Sequence, residues 1–130
     1  MLRGLVVDFG GVLTDPGADG DHPLVRAVVL ARAHGLRTGL LSNADTLGDE
    51  LAPLFDAVVL SGQAGFGKPD PRAYLLAARR LDLPPGDCVF VDDLPANVRA
   101  AAATGMIGVH HDDMATTLAE LSVLFGIDFR

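Results

Sequence analysis

The chain has 130 residues, a net charge of −7 and 49% apolar content with little aromatic and no Trp. That length fits one domain, 1–130, large enough to bury a core, here mostly of Leu, Val and Ala. The acidic balance, with Arg79-Arg80 as its only adjacent basic pair, leaves no electrostatic footprint for nucleic acid. No apolar run approaches the ~20 residues that span a bilayer. Met1-Leu2-Arg3-Gly4 does not open a secretory signal, because an acid arrives at position 8. A soluble, cytoplasmic protein is expected. The single cysteine, Cys88, lies in an apolar stretch and reads as a small buried residue, with no intrachain disulfide.

In chain order, an apolar strand is expected over Leu2 to Asp8, with Asp8 where it leaves the core and Gly10-Gly11 allowing a sharp turn. Thr14 to His22 is dense in turn formers and reads as a loop. Pro23 opens a helix capped by Asp21 or His22 and ended by Gly35. Arg37 to Leu41 is a strand with Ser42-Asn43 at its tip. A short helix is expected from Thr46 to Leu51, before Pro53, and a strand over Asp56 to Leu60. Ser61 to Pro69 reads as a glycine-rich loop holding Lys68. Asp70-Pro71 caps and opens a helix with Tyr74, Leu75, Ala78 and Leu81 at helical spacing. Asp82 to Asp87 is a loop. Val89-Phe90-Val91 is a strand ending in Asp92-Asp93. A helix follows over Pro95 to Ala103, then a strand over Met106 to Val109, and a last helix over Met114 to Phe125, stopped by Gly126.

Strands alternating with helices imply parallel βαβ units, five of them forming a three-layer, doubly wound α/β sheet. Asp8, Ser42, Lys68 and the pair Asp92-Asp93 then fall at strand ends or just beyond. Parallel strands share a direction, so all point to one sheet edge, where ligands bind in open α/β sheets. This set suits phosphoryl transfer through an aspartyl-phosphate. One carboxylate attacks phosphorus, a second helps hold Mg²⁺, and a lysine and a hydroxyl offset charge on the phosphoryl oxygens.

The arrangement resembles the haloacid dehalogenase superfamily over nearly the whole chain, and within it the subgroup related to the amino-terminal phosphatase domain of epoxide hydrolases. Val6-Val7-Asp8-Phe9-Gly10-Gly11-Val12-Leu13 looks like the first motif, which implies Asp8 as nucleophile. Leu40-Leu41-Ser42-Asn43 looks like the second, with Ser42 and Asn43 on the phosphate. Gly67-Lys68-Pro69-Asp70-Pro71 looks like the third, with Lys68 clamping nucleophile and phosphate. Val89-Phe90-Val91-Asp92-Asp93, followed by Asn97, looks like the fourth. The resemblance implies a Rossmann-like fold and an Mg²⁺ site made by Asp8, Asp93 and the carbonyl of Gly10, with Asp92 acting close by. A phosphorylated small molecule or macromolecule is the implied substrate.

Two departures bear on activity. The family's phosphatases usually carry a second aspartate two residues after the nucleophile, which protonates the leaving group and later activates water. Here that position is Gly10. General acid–base help of this kind is worth ~10²–10⁴-fold, so a slow phosphatase is expected; Asp15, Asp19 and Asp21 are candidate substitutes or ordinary turn acids. Second, Asp8 and Ser42 stand 34 positions apart, which one loop and one helix use up, and Lys68 to Asp92 holds one helix and a loop. No cap domain is expected. An open apolar rim then favours a homodimer. The alternatives are a binding or interaction module that keeps the fold with impaired catalysis, and dehalogenation of a 2-haloacid.

His110-His111-Asp112-Asp113 has the composition of a metal cluster, but adjacent residues on an extended chain point opposite ways. A solvated loop with Asp113 capping the last helix is expected. Phe66 reads as a recognition residue or a core plug. Asn97 either orients the acidic pair or faces solvent.

Overall fold

The computed structural model describes residues 1–8, 22–49 and 51–130. Five parallel strands among them form one sheet: β1 (Gly4–Val7), β2 (Arg37–Ser42), β3 (Ala57–Leu60), β4 (Cys88–Asp92) and β5 (Ile107–His110), in the order β3-β2-β1-β4-β5. β1 is central, with Val6 level with Gly39 of β2 on one side and Phe90 of β4 on the other. The chain runs outward from β1 to β3, then crosses to β4 and β5. The topological switch point therefore lies between β1 and β4. In such sheets the crevice outside the carboxyl ends at that point is the binding place.

The helices are α1 (Pro23–Ala33), α2 (Ser61–Ala64), α3 (Pro71–Arg80), α4 (Pro95–Ala103) and α5 (Met114–Phe125). The period-2 alternation of strand side chains divides the core in two. Leu5, Val7, Leu40, Val89 and Val91 meet Leu24 and Val28 of α1 and Leu118 and Leu121 of α5 on one face. Val6, Leu41, Cys88 and Phe90 meet Tyr74 and Ala77 of α3 and Ala101 of α4 on the other. Every residue of β1 and β4 is buried, as expected of strands covered on both faces. Burial pushes the Cys88 thiol up to about 11, which keeps it in the unreactive protonated form.

Local chemistry places the helix starts. Pro23, Pro71 and Pro95 open their helices, where a missing N–H costs nothing. The backbone N–H of Leu24 donates to His22 Nδ1, that of Arg72 to Asp70 Oδ1, and that of Thr116 to Asp113 Oδ1. Gly65 and Gly126, at φ +86° and +68°, terminate α2 and α5 in the left-handed region.

Four local expectations are corrected. No helix forms over 46–49; a 3₁₀ turn at Ala52–Leu54 follows instead. Gly48 weakens a helix there and Pro53 restricts the residue before it. The stretch after β3 is not all loop: its first four residues form α2. The inner face of α3 is Ala73, Tyr74, Ala77 and Ala78, while Leu75 points outward, 43% exposed. Pro85–Asp87 is a 3₁₀ turn. Among the described residues no helix is long and apolar enough to cross a membrane.

Hydrogen bonds from Thr116 hold the Asp113 carboxyl below its ordinary value. A carboxyl lowered in the folded state stabilises it above the unfolded pKa, about 4, and that contribution is lost as pH falls through the folded value. Asp113→Ala is therefore expected to lower the melting temperature at pH 7, with the gap to the parent protein narrowing below about pH 4. Thermal unfolding at several pH values checks this; a gap that does not shrink in acid rules out the capping account.

Candidate active site

The switch point carries the charged groups. The Asp8 N–H donates to Val91 O, continuing the β1–β4 ladder by one residue, so Asp8 stands beside Asp92, the last residue of β4. Lys68, the only lysine in the chain, reaches the same point from the segment between α2 and α3. Its ammonium donates to Asp8 Oδ1 at 2.5 Å and to Asp92 Oδ2 at 3.0 Å, with its side chain 2% exposed. The ammonium also lies 5.6 Å from the centroid of the Phe90 ring, a position favoured by the ring quadrupole.

Asp92 is held from several sides. Asn97 Nδ2 donates to its Oδ2 at 3.1 Å, and the Leu94 N–H donates to its Oδ1 at 2.9 Å. Asn97 is itself buried, and the Tyr74 hydroxyl donates to the Asn97 carbonyl at 3.0 Å. The Tyr74 phenol is raised above its ordinary value by burial, then by Asp92 and Asp8, so it stays protonated as this donor. Tyr74 meets Phe90 edge-to-face, centroids 5.3 Å apart. A continuous network thus joins the α3–α4 core to the sheet edge.

Asp93 is half-buried. Burial and the adjacent Asp92 carboxylate raise its carboxyl above the ordinary value. One carboxylate oxygen from each of Asp8, Asp92 and Asp93 lies within 4.8 Å of the others. Among the described residues of the cluster, three carboxylates stand against one ammonium, a formal excess of two negative charges. That donor set, all hard oxygen, suits a divalent cation of the Mg²⁺ type.

Lys68 lies outside helix and strand, so its backbone groups need partners from elsewhere. Asn43, just past β2, supplies both: the Lys68 N–H donates to Asn43 Oδ1 and Asn43 Nδ2 donates to the Lys68 carbonyl, each at 2.9 Å. The close approach depends on Gly67, where a Cβ would come within 2.8 Å of Ser61 Cβ and crowd the Asn43 amide. The Lys68–Pro69 peptide is cis.

Of the residues expected from sequence, the fold brings Asp8, Lys68, Asp92 and Asp93 into one cluster. Ser42 is buried at the same edge, at the end of β2, and Asn43 is on the lysine backbone. Gly10, with Asp15, Asp19 and Asp21, lies outside the described residues. Asn97 orients Asp92 rather than facing solvent. Tyr74 was legible only as a core residue; its hydroxyl was the available signal, since a buried phenol needs an acceptor. The histidine pair splits. His110 is exposed with Nε2 3.0 Å from the Asp93 carbonyl. His111 is buried, against the expectation of a solvated loop, and pairs through Nδ1 with Thr117 Oγ1 at 2.7 Å. Side-chain alternation along the extended chain turns it inward onto α5. Phe66 is half-buried under the Arg72 guanidinium, 4.6 Å from its centroid.

This fold and its acidic edge define a Rossmann-like α/β domain with a site at the switch point. Residues 17–105 match the haloacid dehalogenase-like hydrolase family, and the chain belongs to that family. A crystal structure of an uncharacterized protein from Corynebacterium glutamicum superposes with a TM-score of 0.85 at 38% identity, covering 98% of this chain and 97% of that one. Rat bifunctional epoxide hydrolase 2 is 29% identical over 120 residues, 84% of this chain. The sesquiterpene phosphatase astK of Aspergillus oryzae is 40% identical over 73 residues, 56% of this chain. The chain spans 22% of the length of that epoxide hydrolase and 37% of that phosphatase.

Removing one partner of a buried ion pair leaves uncompensated charge and costs ~3–5 kcal/mol. Lys68→Met is expected to lose about that much, read as a lower urea midpoint with an unchanged slope. A loss under about 1 kcal/mol, the range of exposed pairs, contradicts a buried clamp.

Proposed function

We propose that the protein is an Mg²⁺-dependent phosphoester hydrolase that works through an aspartyl-phosphate on Asp8. The observation that carries this reading is the Lys68 ammonium bridging Asp8 and Asp92 at the switch point, with Asp93 in reach of both. The family assignment and the likeness to a named phosphatase support it.

The roles follow from the chemistry of each group. Asp8 is the nucleophile: its carboxylate oxygen bonds to phosphorus while the ester oxygen leaves with the electron pair. Lys68 holds Asp8 through Oδ1 and offers positive charge to the phosphoryl oxygens. Ser42 donates its hydroxyl to one of them. Asp8 and Asp93 would hold Mg²⁺, with Gly10 contributing its carbonyl as in the resembling family. Asp92, already accepting from Lys68, Asn97 and Leu94, acts by positioning the lysine. When bound, Mg²⁺ offsets the phosphate charge that otherwise repels the Asp8 carboxylate. Water then hydrolyses the acyl phosphate and returns Asp8.

Gly10 sets the substrate class. With no acid at that position, and with Asp15, Asp19 and Asp21 read as ordinary turn acids, the leaving oxygen departs unprotonated, so phosphates of acidic alcohols and phenols are the better substrates. The excess of carboxylate charge argues for a cation-assisted phosphoryl transfer over dehalogenation.

Adding Mg²⁺ and beryllium fluoride tests the nucleophile without a known substrate. A bound trifluoroberyllate resonance in ¹⁹F NMR that disappears in Asp8→Asn is the expected result. No resonance in folded, Mg²⁺-saturated protein overturns the reading and favours the interaction module. Gly10→Asp is expected to raise turnover of an alkyl phosphate by ~10²-fold or more and to raise p-nitrophenyl phosphate turnover less. Equal or absent gains in steady-state assays rule out the missing acid as the bottleneck.

A further inference from the structure

We propose that Asn43 is a positioning residue for Lys68: its side-chain amide holds the lysine backbone so that the ammonium is set between Asp8 and Asp92 before any phosphate arrives. The kinetic consequence rests on the phosphatase reading above; the positioning itself does not. Asn43 directly follows Ser42, so from sequence it falls to the phosphate. The geometry assigns its side chain to the lysine instead.

Both ends of the amide are used on one residue, at 2.9 Å each. The pattern is that of a hydrogen-bonded pair in an antiparallel ladder, made by a side chain. It satisfies the N–H and C=O of a residue that has no helix or strand to pair with. The requirement is strict because a lysine stem has four flexible carbons. An ammonium within hydrogen-bond range of two carboxylates on different strands needs a fixed backbone behind it. Gly67 leaves the room for Asn43 to approach, and the Asp70 N–H, donating to Gly67 O at 2.9 Å, closes the turn from the other side. Asn43 itself is exposed while Lys68 is buried. Its loss therefore leaves the core packing intact and acts on the lysine.

The chain's single lysine makes the test site-specific. Lysine-selective ¹⁵N labelling yields one side-chain ammonium resonance. A slowly exchanging, shifted Lys68 signal is expected in the parent protein, collapsing toward a free-lysine signal in Asn43→Ala. A parent protein without the slow signal, or a variant that keeps it, overturns the proposal. This readout needs no bound anion, so it stands even if the trifluoroberyllate experiment fails. Inorganic phosphate titrations with Mg²⁺ supply the functional arm as a double-mutant cycle. Asn43→Ala is expected to weaken phosphate roughly tenfold, about what one well-placed hydrogen bond is worth. In a Lys68→Ala background it is expected to add nothing, because the residue acts through the lysine. A further loss of similar size in that background means that Asn43 touches phosphate directly, and the positioning role falls.

Discussion

Everything at the active edge depends on one buried cation holding carboxylates from two strands. Asp8 and Asp92 end adjacent parallel strands, so their like charges are brought together by the sheet whether or not that is favourable. Alone, each would carry a desolvation cost of several kcal/mol. The Lys68 ammonium between them supplies the Coulombic and hydrogen-bonding return, and Phe90 beneath it adds a favourable ring face. The cluster is not neutral, however. Asp93 brings a third carboxylate, and the residual charge is the physical reason that the site suits a divalent cation.

The support behind Asp92 ties stability to chemistry. Tyr74 belongs to the hydrophobic cluster between the sheet and α3, yet its hydroxyl reaches the Asn97 carbonyl, and the Asn97 amide reaches Asp92. Tyr74, Asn97, Asp92 and Lys68 each find a hydrogen-bond partner, and a satisfied network of this kind rigidifies what it touches. The second anchor comes from the other side of the sheet edge, where Asn43 grips the backbone of Lys68. Acid and base are thus oriented independently, one through the α3–α4 core and one through the loop after β2.

Membership in the haloacid dehalogenase-like hydrolases makes the departures informative. The chain keeps carboxylates, lysine and serine at the positions where its family resemblance puts chemistry, and has glycine where a general acid usually stands. On the proposed reading, the nucleophile and its electrostatic support are kept while proton delivery from position 10 is not. That reading shifts the demand for leaving-group stability onto the substrate. Among the described residues, α3 and a 3₁₀ turn are what separates Lys68 from β4, so specificity has little covering structure to draw on there.

The fold was legible in the sequence to a high degree. Leu5-Val6-Val7 and Val89-Phe90-Val91 are continuous apolar runs that suit only strands buried on both faces, and Pro71, Pro95 and Asp113 mark helix starts by local backbone chemistry. The shared sheet edge of Asp8, Ser42, Lys68 and Asp92-Asp93 followed from parallel topology, and the family resemblance from the motifs around those residues. Local signals misled where short-range preference was weak: at 46–49, where Gly48 and Pro53 disfavour the expected helix, and at His111, whose burial depends on α5 folding back over β5. What no stretch of sequence determined was partnership between distant residues. That the Asn43 amide meets Lys68, that Asn97 turns inward to Asp92, and that Tyr74 donates to Asn97 are consequences of packing α3 and α4 against the sheet. Periodicity and turn chemistry act within a few residues, whereas hydrogen bonds across tens of residues are chosen only when the tertiary fold excludes water and limits which partners a buried polar atom can reach.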